Sequence, residues 1–233
     1  MGRGRQAGQD AGRCTIIDLM VRRRGQMQVS GLNTLRAYWE ALRQDGDVPR
    51  RLQVDPRGIE NALDIAFLAE RVAPRVARFR LAGRQLNALM GMEVRGMPLT
   101  ALIEPTARDD FADALERVFD GPAVVEMALR GASGLTQPRL EARMLLLPLR
   151  AEDGSISRAL GGLAVEGRVG TPPRRLDLTG MEITALAGVP MPERAPQGRD
   201  RTRPPAQGLA ESPAGFAHAP RGRPQLRVIR NDD

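Results

Sequence analysis

The chain has 233 residues, and its 35 basic residues, all arginine, outnumber 28 Asp and Glu to give a formal charge of +7. The absence of lysine excludes a Walker-type phosphate loop, a protein-kinase ATP site and Schiff-base chemistry, each of which requires one. Residues 1–30 hold 6 Arg against 2 acids and residues 168–233 hold 11 against 7, whereas 31–167 holds 18 against 19, so the excess charge sits at the two ends and the middle is neutral.

In chain order, residues 1–30 are expected to be a basic, flexible segment. Its one apolar stretch, Cys14 to Val21, is short and broken by Asp18, which does not match a secretory signal. No apolar run anywhere approaches the roughly 18 residues of a membrane-spanning helix. Cys14 is the only cysteine, so an intrachain disulfide framework and a cysteine metal cluster are both out of reach. A reducing, cytoplasmic setting fits.

Leu32, Leu35, Trp39 and Leu42 recur at helical spacing and predict an amphipathic helix over 31–44, closed by Asp45-Gly46. Tyr38 and Trp39, the only Tyr and Trp, both lie on it. Asp55-Pro56 supplies an N-cap and a first-turn proline for a short helix burying Ile59 and Leu63. Ala66 to Val72 and Arg75 to Ala82 follow as strands around Pro74, the second placing Ala77, Phe79 and Leu81 on one face and Arg78 and Arg80 on the other.

A helix from Arg84 to Met90 presents Leu86, Leu89 and Met90 and ends at Gly91. Pro98 opens a turn carrying Leu99 and Leu102, and Thr106 with Asp109 resembles a capping box. Phe111, Leu115, Val118 and Phe119 mark the clearest helix, which Gly121-Pro122 stops. The period then becomes extended: Ala123 to Arg130, Leu140 to Arg150 and, past the Asp153-Gly154 turn, Ile156 to Val165. Pro148 must fall at a bulge or a non-bonding position of its strand. From Arg168 the chain holds 10 Pro and 7 Gly in 66 residues, a composition that predicts a mostly disordered tail. Within it, Gln225 to Arg230 alternates and is β-prone, so Leu226 and Val228 are candidates for adding a strand to a sheet edge, in this chain or in a partner, or for simply fraying.

The sum is an α+β domain over 31–167: a five-stranded antiparallel sheet with helices on one face, preceded by N-terminal helices. Phe79-Arg80-Leu81-Ala82-Gly83, Gly91 and Val94-Arg95-Gly96, together with the lead-in Tyr38-Trp39-Glu40, Leu42-Arg43, Asp55-Pro56-Arg57 and Ile59, resemble the PAS-like domain family found mainly in alphaproteobacteria. The resemblance covers about 32–166 and implies a sensory or protein-interaction module of signal transduction, with a pocket between the sheet and the central helices. No kinase, cyclase, phosphodiesterase or helix-turn-helix pattern follows the domain.

Each chromophore chemistry that such a fold can host needs a particular residue. The single histidine, His218, lies in the tail, so a haem with a histidine ligand has no candidate in the domain. Cys14 lies outside it, which removes a flavin adduct and a thioester-linked chromophore, and no cofactor is expected. Any ligand would be small and apolar, held by Phe79, Leu81, Leu86, Phe111, Leu115, Val125, Met127 and Leu163; the alternative is that these residues fill a dry core. Asp109, Asp110, Asp113 and Glu116 suggest paired acids or a metal site, yet three of them fall in the first turns of a helix, where the dipole favours negative charge. Ser133 lacks both the G-x-S-x-G spacing and a domain histidine. The expectation is therefore no enzyme and no metal, but a module working through a protein partner, with Tyr38, Trp39, Leu226 and Val228 as interaction candidates and dimerisation through the N-terminal helix as one option. The rival is a nucleic-acid-binding accessory protein using its Arg-rich ends, against which stands an aromatic content of 3% that leaves few stacking platforms.

Overall fold

Two opposite alternations of apolar side chains along the same strands decide the architecture. In the strand Leu140–Arg150, Ala142, Met144 and Leu146 join one buried cluster, while Leu145, Leu147 and Leu149 join another. A strand apolar on both faces must be covered on both.

The structure, a computed structural model, describes residues 29–134 and 137–187. Helix α1 (29–42) is followed by short 3-10 turns at Arg51–Gln53 and Pro56–Ala62. The hairpin β1 (Ala66–Ala73) and β2 (Val76–Ala82) leads to α2 (Arg84–Met90), then to 3-10 turns at Leu99–Leu102 and Pro105–Ala107 and to α3 (Arg108–Asp120). Strands β3 (Ala123–Gly131), β4 (Leu140–Arg150), β5 (Ile156–Gly167) and β6 (Leu176–Ala185) complete one antiparallel sheet in the order β2-β1-β5-β4-β3-β6.

All five expected strands are present, and four expectations change. First, the sheet has a sixth strand, β6, inside the stretch assigned to the disordered tail. The proline count that suggested disorder averages over an uneven stretch: prolines 172 and 173 precede β6, the next is Pro190, and between them Leu176, Leu178, Met181 and Ile183 provide a strand pattern. Second, the helices do not share one face. Helices α2 and α3 cover one side, and α1 with the Pro56–Ala62 turn covers the other. Third, the Pro56–Ala62 turn buries Ile59 and Ala62, whereas Leu63 is 42% exposed. Its period is three residues, so the second buried position falls three after Ile59 and not four. The expected Thr106 cap also yields to Pro105, which starts a 3-10 turn that runs directly into α3 without any side-chain cap.

The two covers meet across Gly161 and Gly162 of β5. Phe67 pairs directly with Gly161 across the β1–β5 ladder, and a Cβ on Gly161 would lie 2.2 Å from its ring. That ring then packs edge-on to Phe79 at 5.3 Å between centroids, a favoured aromatic geometry. On the opposite face, a Cβ on Gly162 would lie 2.6 Å from the side chains of Leu32 and Leu35 of α1. Further along α1, the indole N–H of Trp39 donates to the Pro148 carbonyl at 2.8 Å. The pairing of β4 with β3 ends at Leu146, before Pro148. In a strand the nitrogen and carbonyl of one residue point the same way, so the proline nitrogen faces this open side and no ladder bond is lost, as its placement required.

Gly161→Ala should lower stability by about 2 kcal/mol, within the range for overpacking a filled core, because the Phe67 ring is held from both sides. Gly162→Ala should cost clearly less, since only terminal methyls of two leucines must yield. Urea unfolding of the two variants checks the order.

Candidate functional site

The space between the sheet and α2 and α3 is where the sequence placed a ligand pocket. Seven of the eight candidates meet there: Phe79, Leu86, Phe111, Leu115, Val125, Met127 and Leu163 all belong to one buried cluster, each no more than 2% exposed. Leu81 does not join them and is 53% exposed. The reason is a bulge in the β1–β2 ladder: Ala69 pairs with Phe79 and Leu68 with Leu81, leaving Arg80 as an extra residue. One inserted residue moves every later side chain to the other face, so the alternation that buries Ala77 and Phe79 turns Leu81 outward.

The volume they surround is filled by Phe67, Leu89, Leu99, Leu102, Ile103 and their neighbours. The only charged residues buried among the described residues are Arg150 and Arg174, and neither belongs to this cluster. One polar side chain at its margin, Asn87, is occupied in accepting from the Val94 N–H at 3.1 Å. Two surface cavities lie on the α1 side of the sheet, with volumes of about 180 and 330 Å³. Of the eight candidates only Met127 borders either.

The acids of α3 hold the hairpin. Arg75, in the left-handed conformation at the β1–β2 turn (φ 62°), pairs with Asp113 at 2.9 Å and with Asp109 at 3.6 Å. Arg71 donates to both oxygens of Asp120 at 2.5 and 2.8 Å and lies 3.9 Å from Glu116, with its guanidinium over the Phe119 ring. These carboxylates fasten β1 and β2 to α3. Among the described residues no three His, Cys, Asp or Glu side chains converge as a metal site would require.

The aromatic pair on α1 packs inward. Trp39 is fully buried, and the Tyr38 hydroxyl accepts from the Asp55 N–H at 2.7 Å and donates to the Asp55 carbonyl at 3.2 Å. Of the two interaction candidates, Trp39 is wholly enclosed by its own domain, while Tyr38 is partly buried and keeps some exposure. Leu226 and Val228 lie outside the described residues, as do Cys14 and His218.

Sequence patterning missed two buried cations. Arg174 sits just before β6 and is 2% exposed. It donates to the carbonyls of Val169, Ala132 and Pro138, the last two at 2.7 and 3.1 Å, and so ties the approach to β6 to the β3–β4 loop. Arg150, at the end of β4, is held by Asp47 at 2.7 Å and by the Gly154 carbonyl at 2.8 Å. The hydrogen bond from Arg150 holds the Asp47 carboxyl below its ordinary value against the opposing effect of burial.

A family model described as PAS domain matches residues 27–164. Similar solved structures include an RNA-binding light-oxygen-voltage receptor, 18% identical, with a TM-score of 0.35 and coverage of 49% of this chain and 34% of that one. The dark structure of the blue-light photoreceptor Aureochrome1 LOV is 17% identical, with a TM-score of 0.33 and coverage of 48% of this chain and 86% of that one. No curated protein matches.

Phe79→Ala should destabilise the domain by about 3–5 kcal/mol, the usual cost of emptying an aromatic site in a core. Leu81→Ala should change stability by no more than about 0.5 kcal/mol, as expected of a surface site, a contrast that chemical denaturation resolves. Removing the Arg150 partner with Asp47→Asn should cost about 1–2 kcal/mol at neutral pH. Since folding lowers the Asp47 carboxyl, its contribution is complete above the ordinary Asp value and is lost as pH falls through the depressed folded value. Melting temperatures of wild type and Asp47→Asn should therefore converge on acidification.

Proposed function

The chain belongs to the PAS domain family, and from that premise we propose that it is a non-enzymatic signalling module that regulates a protein partner by direct contact. PAS domains are in general sensory and signalling modules. The observation that carries the reading is the character of the space between the sheet and α2 and α3: apolar, sealed, and free of charged side chains among the described residues. Chemistry at that site would need a titratable or nucleophilic group within reach of a reacting atom. A packed core can instead exist in two arrangements of its covering helices, with a partner or ligand favouring one.

A small apolar ligand fits the same reading. It would replace part of the packing among Phe79, Leu86, Phe111, Leu115 and Leu163 and so shift the helices that cover them. No helix among the described residues is long and apolar enough to cross a membrane, which supports placing the module in the cytoplasm. The lead-in residues of α1 support assignment to the alphaproteobacterial branch of the family.

A second reading, binding of nucleic acid through the arginines of 1–30 and of the tail, rests on the position of the net charge. Residues 29–187, which include α1 and β6, hold 21 Arg against 21 Asp and Glu, so that activity would reside in the ends. Deleting 1–28 and 188–233 spares both elements and separates the two readings.

Native mass spectrometry and an absorbance spectrum of the purified full chain test the proposal. The expected result is no visible chromophore band, together with a stoichiometric partner or dimer that survives deletion of both ends. A chain that neither self-associates nor retains a protein from its own cytosol would overturn the contact reading. Salt-sensitive RNA or DNA binding that vanishes with the deletions would favour the second.

A further inference from the structure

The α1 side of the sheet is covered over only part of its area. On β5, β4, β3 and β6 the ladders align three rows that face this side. The row nearest α1 is Gly162, Leu145, Glu126 and Glu182; the next is Ala164, Arg143, Ala128 and Gly180; the last is Glu166, Glu141, Arg130 and Asp177. Leu32 and Leu35 lie over Gly162, Leu145 and Ala164 are buried in the cluster under α1, and Arg36 pairs with Glu126, but Arg143, Ala128, Gly180, Glu166, Arg130, Asp177 and Glu182 are exposed. The middle row is low, with two alanines and a glycine, and it forms the floor of the two cavities of about 180 and 330 Å³.

Three features of this trough bear on what covers it. Its walls are rich in carboxylate: Glu126, Glu141, Glu166, Asp177 and Glu182 against Arg130 and Arg143. Glu126 and Glu182 stand directly opposite each other, as do Glu141 and Glu166, and like charges in that position repel. Arg36 and Arg139 relieve one member of each pair, while Glu166 and Glu182 form no ion pair among the described residues. Finally, Val29, the first described residue of α1, lines both cavities. The N-terminal end of the described helix therefore lies at the trough.

We propose that residues 14–28 of the same chain cover this trough, the apolar stretch Cys14–Val21 over its low floor and Arg22, Arg23 and Arg24 against the carboxylates of Glu166 and Glu182. Arg24 is five residues from Val29, a span of at most about 17 Å, and the trough crosses four strands, about 14 Å. Arg23 and Arg22, six and seven residues from Val29, reach at most about 20 and 24 Å, so all three arginines are long enough in tether to meet carboxylates anywhere across the trough. Tethering of this kind gives a local concentration on the order of millimolar, which a second copy at ordinary concentration does not match. A nucleic acid is a poor occupant of a surface dominated by carboxylates. The inference is independent of the partner reading, because a domain without any partner would still carry the covered face.

Cys14, the only cysteine, allows a direct test on the full chain. A nitroxide attached there should broaden the amide signals of residues 128–130, 141–143, 164–166 and 179–182 several-fold more than those of α2 on the far face. The effect should fall at least twofold in Arg22→Glu/Arg23→Glu/Arg24→Glu and in Glu166→Arg/Glu182→Arg, and return when the two sets are combined. Absent or uniform broadening overturns the proposal. So does broadening seen only when labelled and unlabelled chains are mixed, which assigns the face to a second copy, and so does a failure of the combined variant to restore the signal.

Discussion

The Gly161–Gly162 pair is the constraint on which the two-sided architecture rests. β5 lies inside the sheet between β1 and β4, and its glycines have no side chains to fill either face. One face admits the Phe67 ring and the other admits Leu32 and Leu35 of α1, each at a distance that a Cβ would forbid. Glycine inside a strand ordinarily weakens it. Here the loss is offset by two close approaches, one aromatic and one helical, back to back through a single layer of backbone. The edge-on contact of Phe67 with Phe79 carries the first approach into the cluster under α2 and α3, and the bond from Trp39 to Pro148 carries the second to the end of β4.

Much of this was legible in the sequence because alternation and helical spacing are strong signals over long elements. α1, α3 and all three of β3, β4 and β5 follow from the periods of their apolar residues. What alternation cannot reveal is a place where it restarts. Leu81 continues the pattern of Ala77 and Phe79, yet the extra residue at Arg80 turns it to solvent, and nothing in the residue types there announces a bulge. The run Met144 to Leu149 is apolar on both sides of its strand, a pattern that calls for two covers and that the expectation of helices on one face did not use. β6 was obscured differently, by averaging proline over a long stretch whose proline-free part holds a strand. The buried Arg150 and Arg174 had no local signature at all, since their partners are an aspartate 103 residues away and three backbone carbonyls.

The arginines illustrate how function-like clusters are absorbed by structure. The acidic run on α3 looks like a cation site on the helix alone, but the neighbouring hairpin supplies Arg71 and Arg75 to it. Planar guanidinium suits this use: it meets a carboxylate with two parallel bonds, as Arg71 does with Asp120, and it also lies flat on an aromatic ring. Where these pairs are well exposed they contribute little to stability. Arg71, 13% exposed in its side chain, is better placed to fix the hairpin against α3 than Arg75, at 43%.

The same geometry bears on how a signal would cross the sheet. Any ligand that enlarged the space under α2 and α3 would press on Phe79 and through it on Phe67, whose ring already rests against the backbone of Gly161. No side chain lies between that backbone and Leu32 and Leu35 on the far side, so a displacement of the strand is felt directly at α1. Packed interiors pass on such displacements because they hold few voids to absorb them. Coupling in the thermodynamic sense further requires that α1 have two seatings of comparable free energy. The partial cover of the sheet by α1 is what makes a second seating geometrically available: Ala128 and Gly180 continue beyond it as a low, exposed surface, with Arg143 as the one long side chain that would have to swing aside.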